Sequence, residues 1–335
     1  MSAKPSVAAL GAGRMGRGIA LAYALRGQAV TVIDFKQRDA QAWEKLQADA
    51  REELSLTLRQ LEGLGALPAE EVEACLNRIQ LCPLAEAEAA LAAASLVYEA
   101  VPETLDAKRD ALGRLSQLVA KDALIASTTS TMLASDLAPM VTYPERFMNA
   151  HWLNPAYLIP LVEISAHPGT QPEAVKRLRD DLSSIGKVPV ECSCSPGYIV
   201  PRLQALVMNE AARMVEEGVA TAEQMDLATR YGLGFRFAAM GVLEFIDFGG
   251  NDILYHASRY MADNIDPVRF EAPEIVKRYM HEGRNGLRSL QGFHSYEGKD
   301  IEEYRRDVLA RVLGMSRHFG LHAHASTNAA QGVSK

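Results

Sequence analysis

The stretch from Val7 to Gly16, VAALGAGRMG, constrains this chain more than any other. An apolar run leads into Gly11, Gly13 and Gly16, spaced G-x-G-x-x-G. The run predicts a buried strand over 7–10, and small residues on one face of 14–26 predict a helix behind it. In such a strand–turn–helix the first glycine permits the tight turn. The second lets a pyrophosphate approach the backbone, and the third lets helix and strand pack closely. The anion then rests on the free N–H groups of the helix start, where the dipole favours negative charge. Gly11, Gly13, Arg14, Met15 and Gly16 are therefore the candidate cofactor contacts of this turn. A lone glycine fingerprint is a weak sign, but a second apolar run over 29–33 ends in Asp34, 18 residues past Gly16. A carboxylate there accepts hydrogen bonds from adenosine ribose hydroxyls and repels a 2′-phosphate, which points to NAD rather than NADP. Lys36 and Arg38 stand close enough to soften that exclusion.

Beyond the turn, expected strands over 78–81, 96–101 and 123–127 alternate with helical stretches over 39–64, 69–76, 85–94 and 105–119. Alternation of this kind predicts a mostly parallel, doubly wound α/β sheet of the Rossmann type with right-handed crossovers. From Phe147 the texture shifts to short extended pieces, 147–152 and 161–165, followed by a helix over 173–185 and a strand over 188–192. Ser195-Pro196-Gly197 punctuates the chain as a domain boundary. The division assigns 1–194 to the dinucleotide-binding domain and 195–335 to an all-α domain, with helices over 202–217, 222–230, 241–261 and 301–318. The last dozen residues are expected to fray.

A formal net charge of −7 and the lack of any Lys/Arg run argue against nucleic acid, which needs a basic face. No apolar run approaches the roughly 20 residues of a membrane span, and the N-terminus shows no signal-peptide pattern, so a cytoplasmic location is expected. Four cysteines do not make a disulfide framework in 335 residues. Cys192 and Cys194 lack companion ligands, so no metal is expected.

In open α/β sheets the ligand lies outside the carboxyl ends of the strands, where three polar clusters fall. They are Ser127–Thr131 (STTST), His151–Pro155 (HWLNP) and Glu163 within PLVEIS. Oxidising a secondary alcohol needs a base for the hydroxyl proton, and a neutral histidine suits that near pH 7. His151 and Glu163 can pair across neighbouring strands, and Ser130 can hydrogen-bond the substrate oxygen. Taken singly, each has a plainer explanation: a structural histidine, a Ser helix cap, a buried carboxylate that needs some partner.

Together with YEAVPETLDAK (98–108), SPGYIVPR (195–202) and LEFIDFGGND (243–252), these clusters are specific. Over essentially its whole length the chain resembles the 3-hydroxyacyl-CoA dehydrogenase family. The resemblance implies His151 as catalytic base, Glu163 as its orienting carboxylate and Ser130 as a contact to the substrate hydroxyl. It implies NAD contacts from Asp34, Glu103, Lys108, Ser130 and Asn154, with Arg288 at the family's basic contact near the C-terminus. It also implies a helical domain that carries a homodimer interface and closes over the substrate.

Two features bear on the substrate. Where the family has a catalytic asparagine, this chain has Pro201, which lacks both side-chain donor and N–H. Gln204, one turn further on, is the candidate replacement. The segment GLGFRFAAMGVLE (232–244) is similar to the branch that takes free hydroxy acids, the L-gulonate 3-dehydrogenase and carnitine dehydrogenase branch. There the residue matching Arg236 pairs with a substrate carboxylate, for which a planar fork is suited. The alternative for Arg236 is an ion pair with Glu244 or Asp247. In CoA-specific relatives the helix after the second strand is basic, whereas 38–56 here holds more acids than bases. The expectation is thus NAD-dependent oxidation of a small 3-hydroxy acid, with an L-3-hydroxyacyl-CoA as the alternative substrate. A non-catalytic NAD-binding or structural protein is the alternative of another class.

Overall fold

The computed structural model describes residues 6–321. The expected fraying over 324–335 lies outside them. The chain forms two compact units, Met1–Met208 and Asn209–Lys335.

The first unit holds eight strands: β1 (Val7–Leu10), β2 (Val30–Ile33), β3 (Ile79–Cys82), β4 (Leu96–Glu99), β5 (Leu124–Ser127), β6 (Phe147–Trp152), β7 (Leu161–Ala166) and β8 (Val188–Ser193). They build one sheet in the order β3-β2-β1-β4-β5-β6-β7-β8. Every neighbouring pair is parallel except β6 with β7. Side chains alternate across a strand, so Val7 and Ala9 enter one apolar cluster while Ala8 and Leu10 enter another. Burial on both faces is why β1, β4 and β5 read as continuous apolar runs rather than alternating ones.

Helices α1 (Arg14–Ala24), α2 (Ala40–Gly63), α3 (Ala69–Asn77), α4 (Ala87–Ala92), α5 (Leu105–Leu118), α6 (Ala134–Leu137) and α7 (Pro172–Ser184) connect the strands. The 39–64 segment is one continuous helix, capped where Asp39 accepts the Ala42 N–H. Strand β4 stops at Glu99, short of the expected Val101, because the Glu99 carboxylate takes the Val101 N–H at 2.9 Å and turns the chain.

Helix α8 (Val200–Glu216) starts in the first unit and ends in the second. Pro201 is its second residue, a first-turn position where a missing N–H costs no helical bond. None of its residues is buried, and Leu203, Leu206, Val207, Met208 and Val215 are exposed.

The second unit is helical: α9 (Ala222–Ala228), α10 (Phe235–Ala239), α11 (Val242–Gly249), α12 (Asn251–Asn264), α13 (Pro267–Phe270), α14 (Glu274–His281) and α15 (Ile301–His318). Asp247 is its polar hub. Its buried carboxylate accepts the N–H groups of Phe293 and His294, each at 2.8 Å, and the Tyr296 hydroxyl at 3.2 Å. Three donors are what allow a carboxylate to sit in the interior. No helix among the described residues is long and apolar enough to cross a membrane.

Candidate active site

The strand order reverses direction between β1 and β4, and a crevice opens at their carboxyl ends. A cavity of about 500 Å³ lies there, lined by Gly11, Gly13, Asp34, Arg38, Val101 and Pro102 among others. The glycine turn is sterically dictated. Gly11 has φ +116°, a region that favours glycine, and a Cβ on Gly16 would collide with the Gly11 carbonyl. A Cβ on Gly13 would meet nothing within 4 Å, so the open side of the turn faces the crevice. Gly13 opens α1 without a side-chain cap, which leaves the first amides of the helix for an anion. Asp34 is buried and pairs with the Arg38 guanidinium, so Arg38 is neutralised rather than free to attract a phosphate.

The catalytic candidates sit on β6 and β7. His151 and Glu163 are directly opposite in the antiparallel register, and His151 Nδ1 lies 2.9 Å from Glu163 Oε2. Both are buried. The other carboxylate oxygen, Oε1, accepts the N–H groups of Ile199 and Val200, each at 2.9 Å, at the start of α8. With Nδ1–H donating to Glu163, the neutral imidazole presents the Nε2 lone pair as a proton acceptor. The phenol ring of Tyr198 lies parallel to this imidazole, with centroids 4.8 Å apart.

Ser130 is exposed on the loop after β5, and Glu103 organises that loop. One Glu103 oxygen accepts the N–H groups of Ser130 (2.9 Å) and Thr131 (3.2 Å) and the hydroxyls of Thr129 and Thr131. Partial burial pushes the Glu103 carboxyl up. The Thr129 hydrogen bond and the Lys108 ammonium outweigh that and hold it below its usual value. Lys108 is fully buried, 3.1 Å from both oxygens of Glu99 and 3.2 Å from Glu103. Ser127 Oγ donates to Glu99 at 2.6 Å. Glu99 escaped the sequence reading, although it carries the same signal as Glu163: a carboxylate closing an apolar strand.

Asn154 is exposed in the turn after β6 and borders a second cavity, of about 350 Å³, with Arg14, Arg17, Glu53, Thr57 and Tyr157. Lys187 pins this turn: its ammonium donates to the carbonyls of Ala156 (2.5 Å) and Ile159 (2.8 Å). Burial, helped by nearby Arg26, lowers the Lys187 pKa to about 8. Between that value and the ordinary lysine pKa of about 10.4, the unfolded chain keeps a proton that the folded chain has released. Stability therefore rises with pH through that window. The unfolding free energy of the native chain relative to Lys187→Met, from denaturant titrations, is expected to rise between pH 8 and 10 by roughly 1 kcal/mol per pH unit. A pH-independent difference would overturn this.

Gln204 is exposed on α8, one turn past Pro201, and makes no side-chain hydrogen bond among the described residues. In the second unit, Arg288 is exposed and pairs with Asp252. The ion-pair alternative for Arg236 does not hold. Glu244 is taken by the Tyr304 hydroxyl (2.7 Å), Arg311 (3.2 Å) and the Gly241 N–H (3.1 Å), and Asp247 by the loop amides. Arg236 is exposed, has no carboxylate partner among the described residues, and sits over the Phe245 ring.

A dinucleotide turn at a topological switch point, with a buried histidine–carboxylate pair on β6 and β7, fits one class: a nicotinamide-dependent dehydrogenase. The chain belongs to the 3-hydroxyacyl-CoA dehydrogenase family, whose NAD-binding domain matches residues 6–195 and whose C-terminal domain matches 197–296. L-carnitine dehydrogenase of a Pseudomonas species is 30% identical over 91% of this chain and 92% of its own. The 5-formyl-3-hydroxy-2-methylpyridine 4-carboxylate 5-dehydrogenase of Mesorhizobium japonicum is 28% identical over 93% of this chain and 97% of its own. The structure of a 3-hydroxyacyl-CoA dehydrogenase from Archaeoglobus fulgidus matches with a TM-score of 0.75 at 30% identity, covering 95% of this chain and 100% of that one. The protein is an NAD-dependent dehydrogenase acting on a CH–OH group.

Proposed function

We propose that the protein oxidises the 3-hydroxyl of a small 3-hydroxy acid carrying a free carboxylate. The observation that carries the chemistry is the buried His151–Glu163 pair, with Nδ1 occupied and Nε2 left as acceptor. NAD, when bound, supplies the acceptor for the hydride from C3. Gly11, Gly13, Arg14, Met15 and Gly16 would hold its pyrophosphate and Asp34 its adenosine ribose, with Glu103, Asn154 and Arg288 as further contacts. Lys108, expected as a direct NAD contact, is fully buried between two carboxylates and would instead act through Glu103. Ser130 binds the substrate hydroxyl while His151 Nε2 takes its proton, and Glu163 stabilises the imidazolium that results.

Two observations favour a free acid over a CoA thioester. Arg236 has a guanidinium without a carboxylate partner among the described residues, suited to bind one bidentately. Beside Asn154, Arg17 is neutralised by Glu53 of α2 at 2.6 Å, which makes a poor cradle for CoA phosphates. Gln204 supplies the amide that Pro201 cannot.

The test is NADH formation from L-3-hydroxybutyrate and L-3-hydroxybutyryl-CoA at equal sub-saturating concentrations, with the native chain and Arg236→Ala. Preference for the free acid is expected, with KM for it raised roughly 10- to 100-fold by the substitution, the size of a lost charge-assisted hydrogen bond. Preference for the thioester, or an equal effect of Arg236→Ala on both, would overturn the reading.

A further inference from the structure

Tyr198 lies in the SPGY turn before α8, and the mechanism above gives it no part. Its backbone is in the left-handed region, φ 46°, a strained conformation for a non-glycine residue that persists only where surrounding contacts enforce it. The contacts are specific. The phenol ring stacks on the His151 imidazole with only 6° between the planes. The hydroxyl donates to the Thr129 carbonyl at 2.8 Å and accepts from the Asn149 amide at 3.0 Å. That amide also donates to the Met132 carbonyl at 2.9 Å, so the phenol holds one end of the Ser130 loop directly and the Asn149 amide of β6 holds the other.

We propose that Tyr198 is a positioning residue with two separable parts, an inference that rests on His151 being the base. Its ring fixes the imidazole plane and favours the protonated imidazole. Its hydroxyl ties the Thr129–Met132 loop to β6 and so sets Ser130 relative to His151. Glu163 holds the imidazole at a single point, Nδ1, and one hydrogen bond leaves the ring free to tilt about it. A parallel ring with its centroid 4.8 Å away restricts that freedom. The π face of a phenol carries negative charge density and attracts a cation, so it stabilises imidazolium more than imidazole.

The groups around His151 make this effect readable. Glu163 faces it from β7, and Tyr198 from the turn before α8. Cys192 on β8 interacts with both, but burial pushes its thiol pKa up and keeps it neutral. Glu103 faces the Tyr198 hydroxyl from the Ser130 loop side. Burial likewise pushes the Tyr198 hydroxyl well above its usual value, so it stays a neutral donor. Glu163 is thus the one charge in direct contact with the imidazole among the described residues, and it is untouched when Tyr198 is changed.

The experiment uses the full chain as Tyr198→Phe, Tyr198→Leu and His151→Ala. Histidine carrying a 13C label at Cε1 is titrated by NMR, and the pH profile of kcat is measured with whichever of the two 3-hydroxybutyryl substrates turns over. In Tyr198→Leu the His151 resonance should titrate roughly 0.5 pH unit lower, as befits a lost cation–π contact, and the acid limb of kcat should move with it. In Tyr198→Phe the titration should stay in place while kcat falls about 3- to 10-fold, one hydrogen bond's worth. A Leu variant that titrates like the native chain overturns the role of the ring. A Phe variant with native kcat overturns the role of the hydroxyl, and it decides that half even if the Leu variant does not fold. Turnover retained in His151→Ala would sink the base assignment instead, while the NMR shift would still report the stacking.

Discussion

His151→Ala is expected to lower kcat by roughly 100- to 10,000-fold, the usual worth of a general base, while Kd for NAD stays within twofold. The two quantities separate because the proposed base acts on the substrate hydroxyl from β6, whereas the glycine turn and Asp34 lie at the carboxyl ends of β1 and β2. The fold should survive, since His151 contributes one hydrogen bond to Glu163 and that carboxylate keeps its two amide donors. Stopped-flow NADH formation with protein-fluorescence titration of NAD measures both. Activity above a few per cent of native would mean that another group takes the proton.

Glu163→Gln should come close to the same loss, about 1000-fold in kcat, for a different reason. The amide keeps the shape and an oxygen for the Ile199 and Val200 N–H groups, so the start of α8 is preserved. Its NH2 then faces His151 Nδ1 and can only donate. The imidazole must answer with the other tautomer, Nε2–H, which has no lone pair toward the substrate. Losing the tautomer and the counter-charge together is what makes an isosteric change so costly at this type of pair. The acid limb of kcat should also fall to lower pH, because imidazolium has lost its anion. A kcat within tenfold of native would show that Glu163 only anchors α8.

The parts legible in the sequence are those where one residue carries a local rule. Gly11 and Gly16 announced the turn because no side chain fits there. Glu163 stood out because a carboxylate in an apolar strand demands a partner. The Glu99–Lys108–Glu103 cluster obeys the same rule, but its partners come from β4, the following turn and α5, and no spacing announces that they meet. Tyr198 was invisible for another reason: a tyrosine in a Pro-Gly turn ordinarily faces water, and only the packed turn shows it stacked on His151. Helices α6, α10 and α13, of 4 or 5 residues, were missed because so short a run shows no helical period. The family relationship told what the chain does to its substrate, whereas the unpaired state of Arg236 needed every neighbouring carboxylate accounted for in three dimensions.

The direct opposition of His151 and Glu163 on two antiparallel strands has an evolutionary corollary. Side chains alternate face with every residue, so one residue inserted within β6 or β7 turns one partner to the far side of the sheet. The same insertion beside the exposed Leu158, in the connection between them, leaves the pairing in place. Length variation among descendants of this gene should therefore collect in that connection and stop abruptly at the strand ends. Substrate preference has room to drift at the turn that borders the site, while the proton-transfer pair is locked to the register of the sheet.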